Sequence, residues 1–377
     1  MTERIEVSKA RNGRNMVFVM NVSHFPRGGG FERVVYLLSQ ELAREGFGVE
    51  VLCESWVNDA HQGATRPVGA LGFYPRLWNT VYSWGEPKEE TYFLFETAWT
   101  APSALASKVR GMPTVMHLHA LESQPGFGWG EGMRYYVASL ESMGARFSDL
   151  LLTVSLDERK ILSSRFKRKR VEYLPLPVDV HPQAATNVKR KLINEIRGKL
   201  GLDSEAIVVS FLGGMDYPPN RVAAEFICTR VLPLVLNASA RKVLFLLIGK
   251  SPPASAFTSK NVRATGYVES FSEWLMASDL ALAPVFGGGG VKTKVLDYLS
   301  CGLPVIATSK AVEGTALSPW EHYAPAETDR EFAQRILGYL RGDSVYDAMA
   351  EEGFKYVCRE HASQAVVGRL AHMLESI

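Results

Sequence analysis

One segment of the sequence combines glycines, lysines and an acidic residue in a spacing suited to binding a diphosphate. Four glycines occupy positions 287–290, between an apolar run at 279–284 and a helical pattern at 292–300. Glycines expose backbone N–H groups, and a helix N-terminus and nearby lysines add positive charge. The predicted phosphate-binding residues are Gly288, Gly289, Gly290, Val291, Lys292 and Thr293.

Two further residues of the same helix complete this predicted site. Residues 292 and 294 do not lie on the same side of a regular helix, and we favour Lys294 as the phosphate ligand and catalytic cation because it lies nearer to Asp297. Asp297 lies about one turn further on, where a carboxylate could accept hydrogen bonds from a ribose diol, as in dinucleotide-binding folds. The alternative is a flexible glycine loop with solvated lysines and an acidic residue that only stabilises the helix.

A second glycine segment follows the apolar run at 16–20 and precedes a helical pattern that begins near residue 31. It contains Gly28, Gly29 and Gly30, with Arg33 on the helix. Such a junction lets a ligand approach the positive end of a helix. The segment does not contain the pattern GxGxxG, so it does not support a nicotinamide cofactor. A simple tight turn is the alternative.

A histidine ends another apolar run. His119 follows residues 114–118, and the C-terminal ends of parallel strands are where ligands bind in open α/β sheets. His117 lies on the same face of the strand and is a competitor for any such role. The alternative for His119 is a core histidine bonded to backbone.

Several function classes are disfavoured. The 42 Lys and Arg against 40 Asp and Glu give a net charge of +2, so no nucleic-acid partner is indicated. No two aspartates are separated by a single residue, so we expect no bound metal. The four cysteines are far apart in the sequence, so we expect a reducing compartment. No apolar run approaches the ~20 residues of a membrane-spanning helix. We therefore expect a cytoplasmic protein, and the basic run at 165–170 would suit peripheral contact with an anionic membrane.

The elements that position these residues follow from short, continuous apolar runs that alternate with amphipathic helical patterns. Strands that are apolar on both faces belong to parallel sheets covered by helices, so the 377 residues predict two doubly wound α/β domains. We place them at 1–182 and 183–361, divided by a charged helical stretch within 180–205. We interpret 54–88, which is rich in Gly, Pro and aromatic residues, as an irregular insertion, and we expect a final helix at about 362–377 to cross back onto the first domain.

These motifs, in this order, resemble the "glycosyl transferases group 1" enzymes of glycosyltransferase family 4. In the second half the resemblance rests on the motifs at 211–214, 217–220, 247–249, 266–268, 287–307 and 313–314. In the first half it rests on 28–33, 114–119, 149–155 and 174–179. The resemblance covers roughly residues 16–375.

The resemblance implies a GT-B fold, with two Rossmann-like domains facing across a cleft. It also implies transfer of a sugar from a nucleotide-sugar donor, with retention of anomeric configuration, to a glycan, lipid-linked or small-molecule acceptor. No metal or cofactor beyond that donor is expected. By resemblance His119 is catalytic and contacts the donor sugar, the glycine loop with Arg33 faces the acceptor, and further donor contacts come from Gly213, Gly214, Tyr267, Val268 and Glu313.

The sequence departs from the family pattern at several positions. Aligning Asp297 with the second of two family glutamates places Gly289 at the first, and the family's Arg and Lys after the first strand of the second domain align with Gly214 and Pro219. The Asp that commonly follows the family histidine is Ala120 here. Two alternatives are open: a GT-B nucleotide-sugar epimerase, which would convert the donor without an acceptor, and a catalytically silent GT-B module that binds nucleotide or glycan, to which the departure at Gly289 points.

Overall fold

The computed structural model describes residues 2–11, 13–20, 30–54, 70–85, 91–125, 127–181, 187–201 and 205–377. By contact the chain divides into two compact units. Unit 1 contains Met1–Pro177, Gly289–Val291 and Ser363–Ile377, and unit 2 contains Val178–Gly288 and Lys292–Ala362. This division first falls between Pro177 and Val178, whereas the sequence-based boundary lies between residues 182 and 183.

Unit 1 is built on a seven-stranded sheet. Its strands are β1 (Thr2–Ser8), β2 (Asn15–Val19), β3 (Gly48–Glu54), β4 (Thr91–Glu96), β5 (Thr114–Leu118), β6 (Leu150–Thr153) and β7 (Arg170–Tyr173). They lie in the order β1-β3-β2-β4-β5-β6-β7, and all neighbours are parallel except β1, which pairs antiparallel with β3. Nearly every residue of β2, β4, β5 and β6 is buried, the exceptions being the half-buried Asn15 and Tyr92, which explains why these strands appear as apolar runs.

The helices of unit 1 cover this sheet. They are α1 (Gly30–Arg44), α2 (Ala70–Tyr82), α3 (Ala101–Val109), α4 (Glu131–Phe147), α5 (Leu156–Arg165) and, from the end of the chain, α13 (Ser363–Leu374). The last helix packs against α1 and buries an apolar stripe of Val366, Val367, Leu370 and Leu374. The interpretation of 54–88 as irregular was wrong at α2, whereas 55–69 and 86–90 lie outside the described residues.

Unit 2 is built on a second, fully parallel sheet. Its strands are β8 (Ile207–Leu212), β9 (Val243–Ile248), β10 (Val262–Ala264), β11 (Leu280–Ala283), β12 (Val305–Ala307) and β13 (Ala324–Pro325). The order is β10-β9-β8-β11-β12-β13. The helices are α6 (Asn187–Lys199), α7 (Pro218–Phe226), α8 (Leu232–Ala238), α9 (Phe271–Met276), α10 (Thr293–Ser300), α11 (Asp329–Arg341) and α12 (Val345–Glu360). A short π-helical segment, Ile227–Val231, joins α7 to α8. The expectation of doubly wound α/β architecture is confirmed.

Each sheet has one point where the strand order reverses direction. In unit 1 this point lies between β2 and β4, and in unit 2 it lies between β8 and β11. Ligands of open α/β sheets bind beyond the carboxyl ends of the strands at such a switch point. The residues that follow β4, β8 and β11 are therefore the candidate ligand-binding residues. Among the described residues, no helix has the length and apolar character needed to span a bilayer.

Candidate active site

Two glycines that follow neighbouring strands of unit 2 have backbones that touch. Gly213 follows β8 and Gly249 follows β9, with φ angles of +158° and +137°. A Cβ on Gly249 would lie 2.2 Å from the Gly213 carbonyl oxygen, so a larger residue cannot fit there without moving the backbone. This close approach brings the loops after β8 and β9 together at the carboxyl edge of the sheet.

The glycine loop after β11 leads directly into α10. Gly288 adopts a φ of +91°, and a Cβ there would lie 3.0 Å from the Tyr217 hydroxyl, which belongs to the loop after β8. Lys292 occupies the N-cap position of α10 without making a side-chain capping bond. Its carbonyl accepts from Val295 N at 3.2 Å and its Nζ donates to Gly288 O at 3.2 Å, so its side chain caps none of the first N–H groups of α10. A helix start with a cation beside it is a site that favours anions.

Tyr298 fastens α10 to the sheet. Its hydroxyl accepts a hydrogen bond from Leu212 N at 2.7 Å and donates one to Leu282 O at 3.2 Å. These two backbone groups belong to β8 and β11, the strands on either side of the switch point. Burial raises the pKa of Tyr298 far above its ordinary value, so the phenol remains protonated. The position of the helix start over the switch point is thus set by a buried side chain.

Lys294 lies in a network that connects α10 to the loop after β8. Its Nζ donates a hydrogen bond to Asn220 Oδ1 at 2.6 Å and lies 4.4 Å from the centroid of the Phe211 ring. Asn220 Nδ2 in turn donates to Gly214 O at 2.9 Å. Burial, followed by the charge of Lys292, lowers the pKa of Lys294 to about 7, against an opposing effect of Asp297. The lysine is therefore poised to gain charge when an anion arrives.

Two other predicted donor residues differ in exposure. Asp297 is only 3% exposed within α10, so little of its carboxylate surface is open and the ribose contact remains a prediction. Tyr267 is 79% exposed and follows Gly266, beside the partly buried Val268. Glu313 forms an ion pair with Lys310. Gly289, Gly290 and Val291 are grouped with unit 1.

At the unit 1 switch point, three titratable side chains converge. Glu96 ends β4, and the strand register pairs it with His117 on β5, while His119 follows on the same face. Glu96 Oε2 lies 2.5 Å from His119 Nε2 and 3.0 Å from His117 Nδ1. Burial alone would raise the pKa of Glu96, but the two histidines outweigh it and hold the pKa at about 2. The carboxylate is therefore ionised although it is fully buried.

By residue type, this cluster could hold a metal ion, which the sequence did not lead us to expect. The ligand atoms of Glu96, His117 and His119 lie within 4.8 Å of one another, and His117 Nε2 and Glu96 Oε1 have no hydrogen-bond partner among the described residues. However, two ligands at about 2.1 Å from one metal at right angles lie roughly 3 Å apart. The 2.5 Å between Glu96 Oε2 and His119 Nε2 instead fits a short hydrogen bond.

The acceptor-side segment is only partly described. Gly28 and Gly29 lie outside the described residues, and Gly30 and Arg33 belong to the first turn of α1. The neighbouring Phe31 ring packs edge-on against His119, with ring centroids 4.6 Å apart. The start of α1 therefore lies beside the histidine cluster.

Comparison with known proteins places these sites in a family. The family described as Glycosyl transferases group 1 matches residues 206–341, and Glycosyltransferase Family 4 matches residues 28–181. Together the two matches cover most of the chain. The chain belongs to these glycosyltransferases. A search of curated proteins finds no match to the chain.

Solved structures show the fold of this glycosyltransferase. Anabaena Alr3699/HepE in complex with UDP matches with a TM-score of 0.70 at 14% identity, over 96% of this chain and 100% of HepE. A glycosyltransferase from Rickettsia africae ESF-5 matches with a TM-score of 0.70 at 13% identity, over 97% of this chain and 98% of that enzyme. Sucrose-phosphate synthase from Thermosynechococcus elongatus matches with a TM-score of 0.68 at 14% identity, over 96% of this chain and 98% of the synthase. The glycosyltransferase has the GT-B fold.

Sequence reasoning missed three residues of these sites in the glycosyltransferase. Lys250 follows Gly249, forms an ion pair with Asp216 at 2.9 Å, and has its Cε 3.5 Å from where a Cβ on Gly214 would lie. It therefore brings a cation to the position where the family's Arg is replaced by glycine. Asn220 was visible in the motif at 217–220 but was given no role. Glu96 carried no signal, because only the pairing of β4 with β5 reveals its partners.

The basic run at 165–170 makes internal contacts. Arg165 donates to Ala138 O and Ser142 Oγ, and Lys169 donates to Arg146 O and Ser148 O. Arg170 donates to Met373 O in the last turn of α13. These three cations therefore stabilise unit 1, and the expected membrane contact stays a prediction.

Proposed function

We propose that this protein transfers a sugar from a nucleoside-diphosphate donor to the hydroxyl of a glycan, lipid-linked or small-molecule acceptor, with retention of anomeric configuration and without a metal ion. One observation carries the proposal. The unit 2 switch point combines an N-terminus of α10 that Lys292 does not cap by its side chain, a glycine loop, and Lys294, whose Nζ donates a hydrogen bond to Asn220. N–H donors and cations together stabilise the negative charge of a bound diphosphate.

The donor roles follow from this geometry. Lys294 and Lys292, with the N–H groups of the glycine loop and α10, would neutralise the diphosphate. Lys250 would add a third cation from the loop after β9. Tyr267 offers an exposed ring for the base, and Asp297 remains assigned to the ribose. HepE has been described in complex with UDP and with UDP-glucose, which supports a UDP-linked sugar as the first donor to test.

The chemical step is assigned to charge stabilisation rather than to a metal. As the bond between the sugar and the diphosphate breaks, negative charge grows on the leaving diphosphate, and fixed cations stabilise that charge most at this stage. His119 would contact a hydroxyl of the transferred sugar. Retention and the absence of a metal requirement are supported by the family resemblance. The donor and the acceptor are to be identified by experiment.

A two-stage assay tests the proposal. Thermal shift with UDP, GDP, ADP and their glucose conjugates identifies the base, since a ligand at 100 times its Kd stabilises by about 2.7 kcal/mol. Release of nucleoside diphosphate is then measured with and without acceptors, and NMR of the product reports the anomeric configuration. We expect release that depends on an acceptor, and a product with the donor's configuration.

Other outcomes contradict the proposal in recognisable ways. An altered sugar with little nucleotide release would identify an epimerase. Binding without any turnover would identify a silent binding module. An inverted product would leave transfer standing but refute retention. Lys355→Met, which removes an exposed unit 2 cation paired with Glu351 and Glu352, should change none of these readouts.

A further inference from the structure

Glu96 is an unusual residue to find buried at the end of a parallel strand. It is fully buried, and among the described residues its only ion-pair partners are the imidazoles of His117 and His119. The residue that follows, Thr97, has a φ of +71°, a conformation that costs a non-glycine residue about 1–3 kcal/mol. The chain thus accepts both a buried charge and backbone strain where this carboxylate is placed.

The hydrogen bond between Glu96 and His119 determines where the imidazole carries its proton. An ionised carboxylate can only accept hydrogen bonds. His119 Nε2, 2.5 Å from Glu96 Oε2, must therefore be the N–H donor. Burial and the neighbouring His117 lower the pKa of His119, which favours the neutral ring. A neutral imidazole has only one N–H, so its Nδ1 is left with a lone pair.

The packing around the ring holds this orientation. Phe31 contacts His119 edge-on, with 4.6 Å between the ring centroids. The centroid of the His117 ring, two residues earlier in the chain, lies 4.3 Å from that of His119. The His119 side chain is 14% exposed, so part of the ring remains open to a ligand. Flipping the ring by 180° would put Cε1 in the place of Nε2, break the Glu96 bond and leave a buried carboxylate with one donor fewer.

We propose that Glu96 is a positioning residue that fixes His119 in the Nε2–H tautomer, so that Nδ1 is presented as an acceptor to a hydroxyl of the bound sugar. The inference rests on the proposed transferase function for the identity of that hydroxyl. The tautomer itself does not depend on it. No bond is formed or broken by Glu96, whose action on the substrate passes entirely through the imidazole.

Nitrogen-15 NMR of histidine-labelled protein tests the tautomer directly. The His119 signals are assigned by their loss in His119→Gln. In wild-type protein we expect a protonated Nε2 and an unprotonated Nδ1. Glu96→Met, which replaces the carboxylate with an apolar side chain of similar length, should abolish that single-tautomer pattern. It should also lower kcat roughly 10- to 100-fold, with KM for the nucleotide sugar changed less than about threefold.

Glu141→Met is the matched control. Glu141 is another buried unit 1 carboxylate, but it is bonded to Ser123 and Arg165 rather than to histidine. We expect this variant to lose stability while the His119 spectrum stays unchanged. A spectrum disturbed equally in both variants would reduce Glu96 to a structural role.

Three results would overturn the inference or separate it from the proposed function. An Nδ1–H tautomer in wild-type protein refutes it even if Glu96→Met does not fold. Stoichiometric zinc or another transition metal, measured by elemental analysis of purified protein and lost in Glu96→Met, would instead make the cluster a metal centre. The expected tautomer in a protein that transfers no sugar would keep Glu96 as the positioning residue and refute the transferase.

Discussion

Binding of the donor diphosphate is expected to place a proton on Lys294. In the ligand-free protein burial and Lys292 lower the pKa of this lysine to about 7 from an ordinary value of 10.5. Two negatively charged phosphates beside Nζ would favour the ammonium form and return the pKa toward its ordinary value. The donor complex should therefore hold one more proton than the separate partners above pH 7.

The magnitude follows from linkage between proton and ligand binding. Below about pH 7 the lysine is charged with and without ligand, so affinity does not depend on its titration. Between pH 7 and the bound-state pKa only the complex keeps the proton, so each pH unit should weaken binding by up to tenfold. From pH 6 to pH 9 the loss is roughly 100-fold, or about 2.7 kcal/mol.

Isothermal titration calorimetry with the best nucleotide sugar from the thermal-shift screen measures this effect. The diphosphate of a nucleotide sugar has no terminal phosphate to titrate in this range, unlike a free nucleoside diphosphate. Titrations at pH 8 in buffers of different ionisation enthalpy should give an uptake of about 0.9 proton per ligand bound. Lys294→Met should lose both this uptake and the pH dependence, whereas the exposed Lys355→Met should retain them.

Flat affinity between pH 6 and 9 with no proton uptake in wild-type protein would refute this reasoning. It would mean either that the lysine is already charged in the free protein or that it does not meet the diphosphate. The two causes separate in Lys294→Met, because a charged lysine that binds phosphate still contributes affinity. Equal affinity in wild type and variant would remove Lys294 from the donor site.

Four further outcomes test the site and its support. Transfer activity should survive EDTA, because fixed cations and a helix N-terminus supply the charge, and a complete loss reversed by Mg²⁺ or Mn²⁺ would contradict this. His119→Ala should lower kcat about 100- to 1000-fold with little change in nucleoside diphosphate affinity, and a folded variant of wild-type activity would show that His119 is a core residue. Tyr298→Phe should lower the free energy of unfolding in urea by about 1–3 kcal/mol, because it leaves two backbone groups of β8 and β11 without their partner. Gly249→Ala should cost more than Gly266→Ala, because a Cβ meets the Gly213 carbonyl only at the first position, and equal losses would disprove the steric argument.

Local patterns made most of the strands and the glycine loop predictable. The buried strands of both sheets are apolar on both faces, so they appear as unbroken runs whatever their neighbours are. The loop at 287–290 is equally local, because its glycines, its lysines and the start of α10 are adjacent in the chain. Two elements lacked such a pattern. The polar β1 pairs only along one edge, and α2 contains Pro75 within an aromatic stretch that lacks a clear period.

Side-chain partners could not be predicted in the same way. Glu96 meets His117 and His119 because β4 lies beside β5, a fact of strand order that no spacing in the sequence contains. Lys250 reaches the space beside Gly214 because Gly213 and Gly249 allow two loops to touch. The lowered pKa of Lys294 likewise needs its tertiary surroundings, since a lysine in a glycine-rich sequence is ordinarily solvated.

The position of α13 after unit 2 in the sequence affects the order in which the protein can fold during synthesis. Unit 1 is encoded first, yet the helix that packs against α1 begins only at Ser363. At roughly 5–20 residues per second, the stretch from Val178 to Ala362 takes a ribosome about 10–40 s to translate. During that interval the α13-facing surface of α1 is without its partner. The fold of unit 1 therefore cannot be completed until unit 2 has been synthesised.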